Sequence, residues 1–156
     1  MTAGSGEDKA AMAPSITITQ VEGFKFLIDF GAAFPALVSD EPEPIGRGEG
    51  PSPEQVLIAG VSNCLCASLA FALGKYRQDG GGVTARASAR IERNAGQRLR
   101  IGGIDVEITL GASAVAMPRI AQVLAQFEQF CTVSESVKAG IPVTVAVRDA
   151  TGERLK

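Results

Sequence analysis

The sequence contains no histidine among its 156 residues. This absence excludes a Ser-His-Asp triad, a Cys-His pair, a His-ligated zinc site and an imidazole base near neutral pH. Cysteine occurs only at Cys64, Cys66 and Cys131, which is too sparse for a secreted disulfide scaffold or for a zinc site built of cysteine alone. We therefore predict no metal and no cofactor. Any chemistry must use cysteine, carboxylates, arginine, lysine or Tyr76.

An excess of charge of one sign is also lacking. Fifteen basic and 17 acidic side chains leave a formal net charge of −2, so a nucleic-acid partner has little electrostatic support. Apolar residues make up 46% of the chain and charged residues 21%, an ordinary globular balance. Residues 1–14 are small and polar and lack the apolar segment of a signal peptide. We expect a disordered leader over residues 1–14, a single domain over residues 15–156 and a cytoplasmic location.

The longest stretch without a charge covers residues 55–74 and is long enough to cross a bilayer. Its polar and glycine positions favour a buried helix instead, with no membrane contact. Ser52 suits the N-cap, Pro53 the first helical position and Gln55 a capping box, and the helix is predicted to end near Gln78. A helix that is apolar nearly all round must be buried on most sides. Because so short a chain cannot enclose it alone, we predict an intertwined or tightly packed homodimer.

Alternating apolar and polar residues predict strands on both sides of this helix. The predicted strands cover residues 15–22, 24–30, 83–93, 104–110 and 143–147. Residues 31–52, rich in proline and glycine, are predicted to form a long loop, and a second helix is expected over residues 118–131. In the pair of strands over residues 83–93 and 104–110, basic outer residues could face acidic ones. The order predicts an α+β fold with a mainly antiparallel sheet.

The cysteines differ in their surroundings. Cys64 and Cys66 lie two residues apart on the predicted helix, about 200° apart around its axis, and cannot bridge each other. Cys66 has apolar neighbours and is interpreted as a small core residue. A disulfide that includes Cys66 stays open as an alternative. Cys64 and Cys131 each have polar neighbours in sequence, which indicates a different role for these two thiols.

Two segments resemble a known family. Residues 51–64, PSPEQVLIAGVSNC, resemble the helix opening of the OsmC-like family, which includes osmotically induced and organic hydroperoxide resistance proteins. Residues 130–145, FCTVSESVKAGIPVTV, resemble the second cysteine region of that family. The resemblance covers about residues 15–148. It implies an OsmC-like fold, an intertwined homodimer with two long helices at its centre, and a thiol peroxidase that reduces organic hydroperoxides with a thiol reductant.

The resemblance also implies roles for individual residues. Cys64 matches the peroxidatic cysteine, Cys131 the resolving cysteine, and Glu54 the glutamate that holds a catalytic arginine. That arginine lies on the first strands in the peroxidase branch, whereas the first arginine here is Arg47, in the predicted loop. A cation is needed because a free thiol titrates near pH ~8.5. We predict Arg47 in this role, with Lys25, which is expected to be solvent-exposed, or a basic residue of the partner as alternatives.

Ten residues separate Glu54 from Cys64, which corresponds to about 15 Å of rise on one straight helix. Either the helix is interrupted near Gly60, or the site combines groups from both chains. Two other functions stay open. One is a non-enzymatic OsmC-like domain that binds a small apolar ligand at the dimer interface. The other is a hotdog-type thioesterase using Glu54, which the second helix fits poorly.

Overall fold

The structure, a computed structural model, describes residues 13–156. The predicted leader lies outside the described residues except for residues 13 and 14. The chain divides into two compact units, Met1–Pro53 and Glu54–Lys156. Each unit contains one three-stranded sheet. That residues 15–156 act as a single domain stays a prediction.

The first unit is built on an antiparallel sheet of β1 (Thr17–Glu22), β2 (Lys25–Asp29) and β3 (Leu37–Ser39), in that order. The predicted hairpin is confirmed, with Gly23 at its turn in the left-handed region at φ +51°. Strand β3 lies within the segment that was predicted to be a loop. It has only three residues, too few to give a period-two pattern that distinguishes a strand from a loop.

The second unit contains α1 (Pro53–Lys75) from its second residue onward. The helix is followed by a sheet of β4 (Val83–Arg93), β5 (Leu99–Leu110) and β6 (Val143–Arg148), in that order. The predicted pairing of β4 with β5 is confirmed and antiparallel, whereas β6 runs parallel to β5. Opposite charges meet between β4 and β5, as predicted, since Arg90 Nη1 lies 3.2 Å from Asp105 Oδ2. Both sheets together are mainly antiparallel, so the predicted α+β class is confirmed.

The helices end earlier than the sequence pattern predicts. Helix α1 stops at Lys75 instead of Gln78, because Arg77 adopts a left-handed φ of +54° and the Gln78 N–H donates to the Leu73 carbonyl. The expected helix over residues 118–131 is divided into shorter pieces. These are α2 (Ile120–Gln126) and a 3-10 turn (Phe127–Phe130), and α3 (Thr132–Val137) begins just after the predicted end of the helix.

The core of the second unit lies between α1 and the inner face of its sheet. Fully buried leucines at positions 65 and 69 of α1 pack with alternating residues of β5, Ile104, Ile108 and Leu110. On the side of α1 away from this core, Phe71 is 60% exposed, with its ring edge-on to Phe130. By length and composition alone α1 could cross a membrane, a test that the core helix of a soluble protein also passes.

Candidate thiol site

Cys64 lies in the middle of α1, half-buried and packed against the core of the second unit. Its preceding polar neighbour Ser62 does not disturb the helix, since its hydroxyl donates to the Ile58 carbonyl one turn earlier. Helix α1 is continuous from Pro53 to Lys75. Cys64 is therefore carried on a rigid element rather than on a loop.

Cys131 lies where the 3-10 turn ends and α3 begins, and it is fully buried. Its backbone is extended (φ −87°, ψ 92°), which turns the chain out of one helix and into the next. The backbone N–H of Ser134 donates to Cys131 Sγ at 3.4 Å, and the Ser134 hydroxyl donates to the Cys131 carbonyl at 3.4 Å. The end of the 3-10 turn thus places the Cys131 thiol at the start of α3, where the Ser134 N–H donates to it.

The structure brings Cys64 and Cys131 together, and we refer to them as the thiol pair. The Cys64 side chain lies against the Cys131 thiol, and both cysteines are free thiols. Burial, together with the neighbouring Cys64 thiol, raises the pKa of Cys131, while the hydrogen bonds from Ser134 act to lower it. Cys131 is accordingly a protonated thiol at neutral pH.

Cys66 lies two residues further along α1 than Cys64, half-buried beside the same core. Burial raises the pKa of the Cys66 thiol. A raised pKa disfavours the reactive thiolate, which agrees with the interpretation of Cys66 as a packing residue.

Glu54 lies in the first turn of α1 and is half-buried. Because α1 is uninterrupted at Gly60, the expectation of a broken helix is wrong, and about 15 Å of helical rise separates Glu54 from the Cys64 of the same chain. Of the two arrangements foreseen from the sequence, only a site that combines groups from two chains could join these residues.

Arg47 and Lys25 both belong to a charged cluster of the first unit, formed by Glu22, Lys25, Arg47 and Glu49. Arg47 Nη1 lies 2.9 Å from Glu22 Oε1 and 3.9 Å from Glu49 Oε1, and its side chain is 69% exposed. Lys25 Nζ lies 2.5 Å from Glu49 Oε2 and 3.2 Å from Glu22 Oε1. Its side chain is only 19% exposed, so the expectation of a solvated lysine is wrong. The hydrogen bonds to Glu49 and then Glu22 raise the pKa of Lys25.

The loop that carries Arg47 is organised by Asp40, which sequence reasoning missed. The buried Asp40 carboxylate accepts the backbone N–H of Arg47 at 3.1 Å and of Glu49 at 3.2 Å. Burial alone would raise the pKa of Asp40, but these backbone donors reverse the effect and lower it. A Cβ at Gly46 would lie 2.5 Å from Asp40 Oδ1. An aspartate followed by a loop with several glycines was the available signal.

Comparisons with known proteins agree with this fold. The family model described as "OsmC-like protein" matches residues 46–146, so the chain belongs to the OsmC-like family. This membership replaces the hotdog-type alternative. No curated protein matches the chain in sequence.

Solved structures of this family are similar to the chain in fold. The OsmC-like protein of Mycoplasma pneumoniae has a TM-score of 0.73 at 14% identity, covering 89% of this chain and 98% of that chain. An organic hydroperoxide resistance protein from Elizabethkingia anophelis has a TM-score of 0.70 at 16% identity, covering 89% and 99%. The organic hydroperoxide resistance protein OhrB of Bacillus subtilis has a TM-score of 0.67 at 14% identity, covering 86% and 98%.

Proposed function

We propose that the protein is a thiol-dependent peroxidase that reduces organic hydroperoxides in the cytoplasm. The Cys64 thiolate attacks the outer oxygen of the peroxide, the O–O bond breaks, and the alkoxide leaves with a proton as an alcohol. Cys64 is thereby oxidised to a sulfenic acid. The Cys131 thiolate then attacks the Cys64 sulfur, a disulfide forms, and hydroxide leaves and is protonated to water. A thiol reductant returns both cysteines to the starting state.

The observation that carries this proposal is the contact between the two thiols. Cys64 and Cys131 are 67 positions apart in sequence, come from different elements, and yet meet as free side chains in one core. A disulfide needs Cα atoms within about 7 Å of each other, so thiols already in contact need little movement to bridge. A pair of cysteines kept only for packing has no need to meet.

The proposal includes a homodimer, which the exposed apolar surface supports. Phe71 of α1 is exposed, and a Cβ at Gly60 or Gly74 on this helix would meet only open space. The first unit exposes a further set of large apolar side chains: Ile16, Ile18, Val21, Phe24, Phe30, Phe34 and Ile45. Exposed apolar side chains in this number support an interface with a second copy of the chain. Sedimentation of the full chain should give twice the chain mass, and a stable monomer would contradict this part of the proposal.

The central experiment maps the cysteines after treatment with cumene hydroperoxide. The protein is alkylated under denaturing conditions, and each cysteine is assigned by mass spectrometry. We expect one disulfide, between Cys64 and Cys131, with Cys66 still alkylated. Three alkylated cysteines after treatment, or a bridge that includes Cys66, would contradict the mechanism.

The second candidate is a non-enzymatic OsmC-like domain that binds a small apolar ligand at the dimer interface. It is favoured by the charged cluster, because Arg47 and Lys25, the cations expected to activate Cys64, are both paired with Glu22 and Glu49. In this case Cys64 would react with organic hydroperoxide no faster than a free thiol. The rate constant for loss of the Cys64 thiol therefore separates the two functions.

A further inference from the structure

Ser68 is a buried polar residue in the middle of α1, with only 6% of its surface exposed. A serine inside a helix can donate its hydroxyl to the carbonyl one turn earlier, as Ser62 does to Ile58. Within residues 13–156, the Ser68 hydroxyl has no hydrogen-bond partner. Every fully sealed polar side-chain atom in this part of the chain has one, so the Ser68 oxygen keeps access to the space beside it. Because buried polar groups are normally hydrogen-bonded, this hydroxyl is suited to bind a molecule that enters that space.

Ser68 lies between two contacts that join α1 to the segment before α3. One turn earlier on α1, Cys64 lies against Cys131. About one turn later, Phe71 meets Phe130, with ring centroids 5.3 Å apart. Cys64, Ser68 and Phe71 are spaced by four and three residues, which places them on one face of the helix. Side chains of a helix lean toward its N-terminus, so Ser68 leans toward Cys64, from which it is about 6 Å away along the axis.

The attack on a hydroperoxide develops negative charge at one particular atom. The Cys64 sulfur bonds to the outer oxygen, the O–O bond breaks, and the inner oxygen leaves as an alkoxide. An alkoxide is a strong base, so a donor aimed at this oxygen lowers the barrier. The sequence contains no histidine, and Arg47 and Lys25 are both paired with carboxylates. A neutral hydroxyl one turn from the sulfur can supply the hydrogen bond.

We propose that Ser68 is a catalytic residue of the peroxide step: its hydroxyl donates a hydrogen bond to the inner oxygen of the hydroperoxide as the O–O bond breaks. This inference rests on the proposed function and adds to it the donor for the leaving group. Ser68 keeps its own proton, and the alkoxide takes up the proton that the Cys64 thiol released to solvent on ionising. One thiol and one hydroperoxide thus give one sulfenic acid and one alcohol.

The test uses the full chain with Ser68→Ala, Ser68→Thr and the control Ser62→Ala. Ser62 lies on the same helix, and its hydroxyl is already bound to the Ile58 carbonyl. Stopped-flow measurement follows the reaction of each reduced protein with cumene hydroperoxide. The sulfenic acid is trapped with dimedone and assigned to Cys64 by mass spectrometry. Urea denaturation gives the stability of each variant.

We expect Ser68→Ala to slow formation of the Cys64 sulfenic acid about tenfold or more, the effect of losing one hydrogen bond to a developing charge. Its urea midpoint should stay the same or rise, because alanine removes an unpaired hydroxyl and favours the helix. Ser68→Thr, which retains a hydroxyl, should recover most of the rate, and Ser62→Ala should keep it. A slower rate together with a lower midpoint in Ser68→Ala would assign Ser68 a packing role and overturn the inference.

Two further reagents identify the atom on which Ser68 acts. Iodoacetamide alkylates the Cys64 thiolate without any peroxide oxygen, so Ser68→Ala should keep the rate of this reaction across a pH series. meta-Chloroperbenzoic acid releases a carboxylate, a much weaker base than an alkoxide, so Ser68→Ala should slow this reaction less than the reaction with cumene hydroperoxide. Equal slowing with all three reagents would place the action of the hydroxyl on the thiolate and overturn the inference.

Failure of this inference and failure of the proposed function give different results. If the unmutated protein forms no sulfenic acid at Cys64, the proposed peroxidase is wrong and the inference is overturned with it. If the unmutated protein forms it and Ser68→Ala does so at the same rate, the inference alone is overturned and the peroxidase stands.

Discussion

The thiol pair and the charged cluster place reactive groups in opposite surroundings. The thiol pair lies among apolar side chains, with Cys131 fully buried, whereas Arg47, the arginine of the charged cluster, is 69% exposed. Burial disfavours the ionisation of Cys131, whereas exposure leaves the position of the Arg47 side chain weakly determined. Rigid placement and positive charge are both required for thiol chemistry. In this protein they lie on different units.

The largest effect is expected from removing the Cys64 thiol. Cys64→Ser should lower the rate of peroxide consumption by about a thousandfold or more, because the nucleophile is lost. Cys66→Ser is the matched control from the same helix and should keep the rate. Cys131→Ser should consume one equivalent of peroxide and stop at the sulfenic acid. Consumption of peroxide by Cys64→Ser at the unmutated rate would show that the thiol pair does not reduce the peroxide.

The second effect concerns the apolar core beside the thiol pair. Leu69 is fully buried on α1, so Leu69→Ala should lower the free energy of unfolding by about 2–5 kcal/mol, since it removes buried area and leaves a cavity. Val115, at 93% exposure, is the control, and Val115→Ala should change it by less than about 0.5 kcal/mol. Urea denaturation measures both. Equal effects of the two variants would contradict the described packing.

The third prediction tests whether Arg47 of the charged cluster activates the Cys64 thiol. If Arg47 supplies the cation for Cys64, as we predicted from the sequence, Arg47→Ala should slow the reaction of Cys64 with cumene hydroperoxide about tenfold, because a cation beside a thiol favours the thiolate. Arg119→Ala, which removes an exposed arginine of the second unit, controls for the change in net charge. Stopped-flow measurement of the two variants decides the question. An unchanged rate in Arg47→Ala would favour the non-enzymatic alternative.

Sequence patterns predicted the parts of the fold that depend on long periodicity. The pairing of β4 with β5 follows from an alternation that continues through both strands, and α1 follows from its cap and its long apolar stretch. The change from α2 to the 3-10 turn after Gln126 could not be predicted this way. The apolar spacing runs through the 3-10 turn without a change, and only the backbone angles at Cys131 separate that turn from α3.

The candidate site was also predicted only in part. Resemblance to a family identified Cys64 and Cys131, and the structure places them in contact. The resemblance could not predict the ion-pair partners of Arg47, because these depend on which acidic side chains the loop brings near. Glu22 is 25 positions away in sequence. Nor could it identify Asp40, whose importance comes from its burial and from the backbone N–H groups that donate to it.

The smallest effect compares ion pairs in the two units. Glu128 of the second unit is 21% exposed and pairs with Lys138 and Lys156, whereas Glu49 of the charged cluster is 43% exposed. At neutral pH, Glu128→Gln should lower the free energy of unfolding by about 1–2 kcal/mol, and Glu49→Gln by less than about 1 kcal/mol. Glu153→Gln, on an exposed residue, is the control.

The pH dependence of the Glu128 effect has a definite sign. Burial alone would raise the pKa of Glu128, but the hydrogen bonds and charges of Lys138 and Lys156 outweigh burial and lower it below the ordinary 4.5. A carboxyl whose pKa is lower in the folded state stabilises the protein above its unfolded-state pKa and loses this effect as pH falls through the folded value. The difference between Glu128→Gln and the unmutated protein should therefore be constant near neutral pH and shrink below about pH 4.5. Urea denaturation across pH measures it, and a difference that grows on acidification would show that the lysines do not hold this carboxylate.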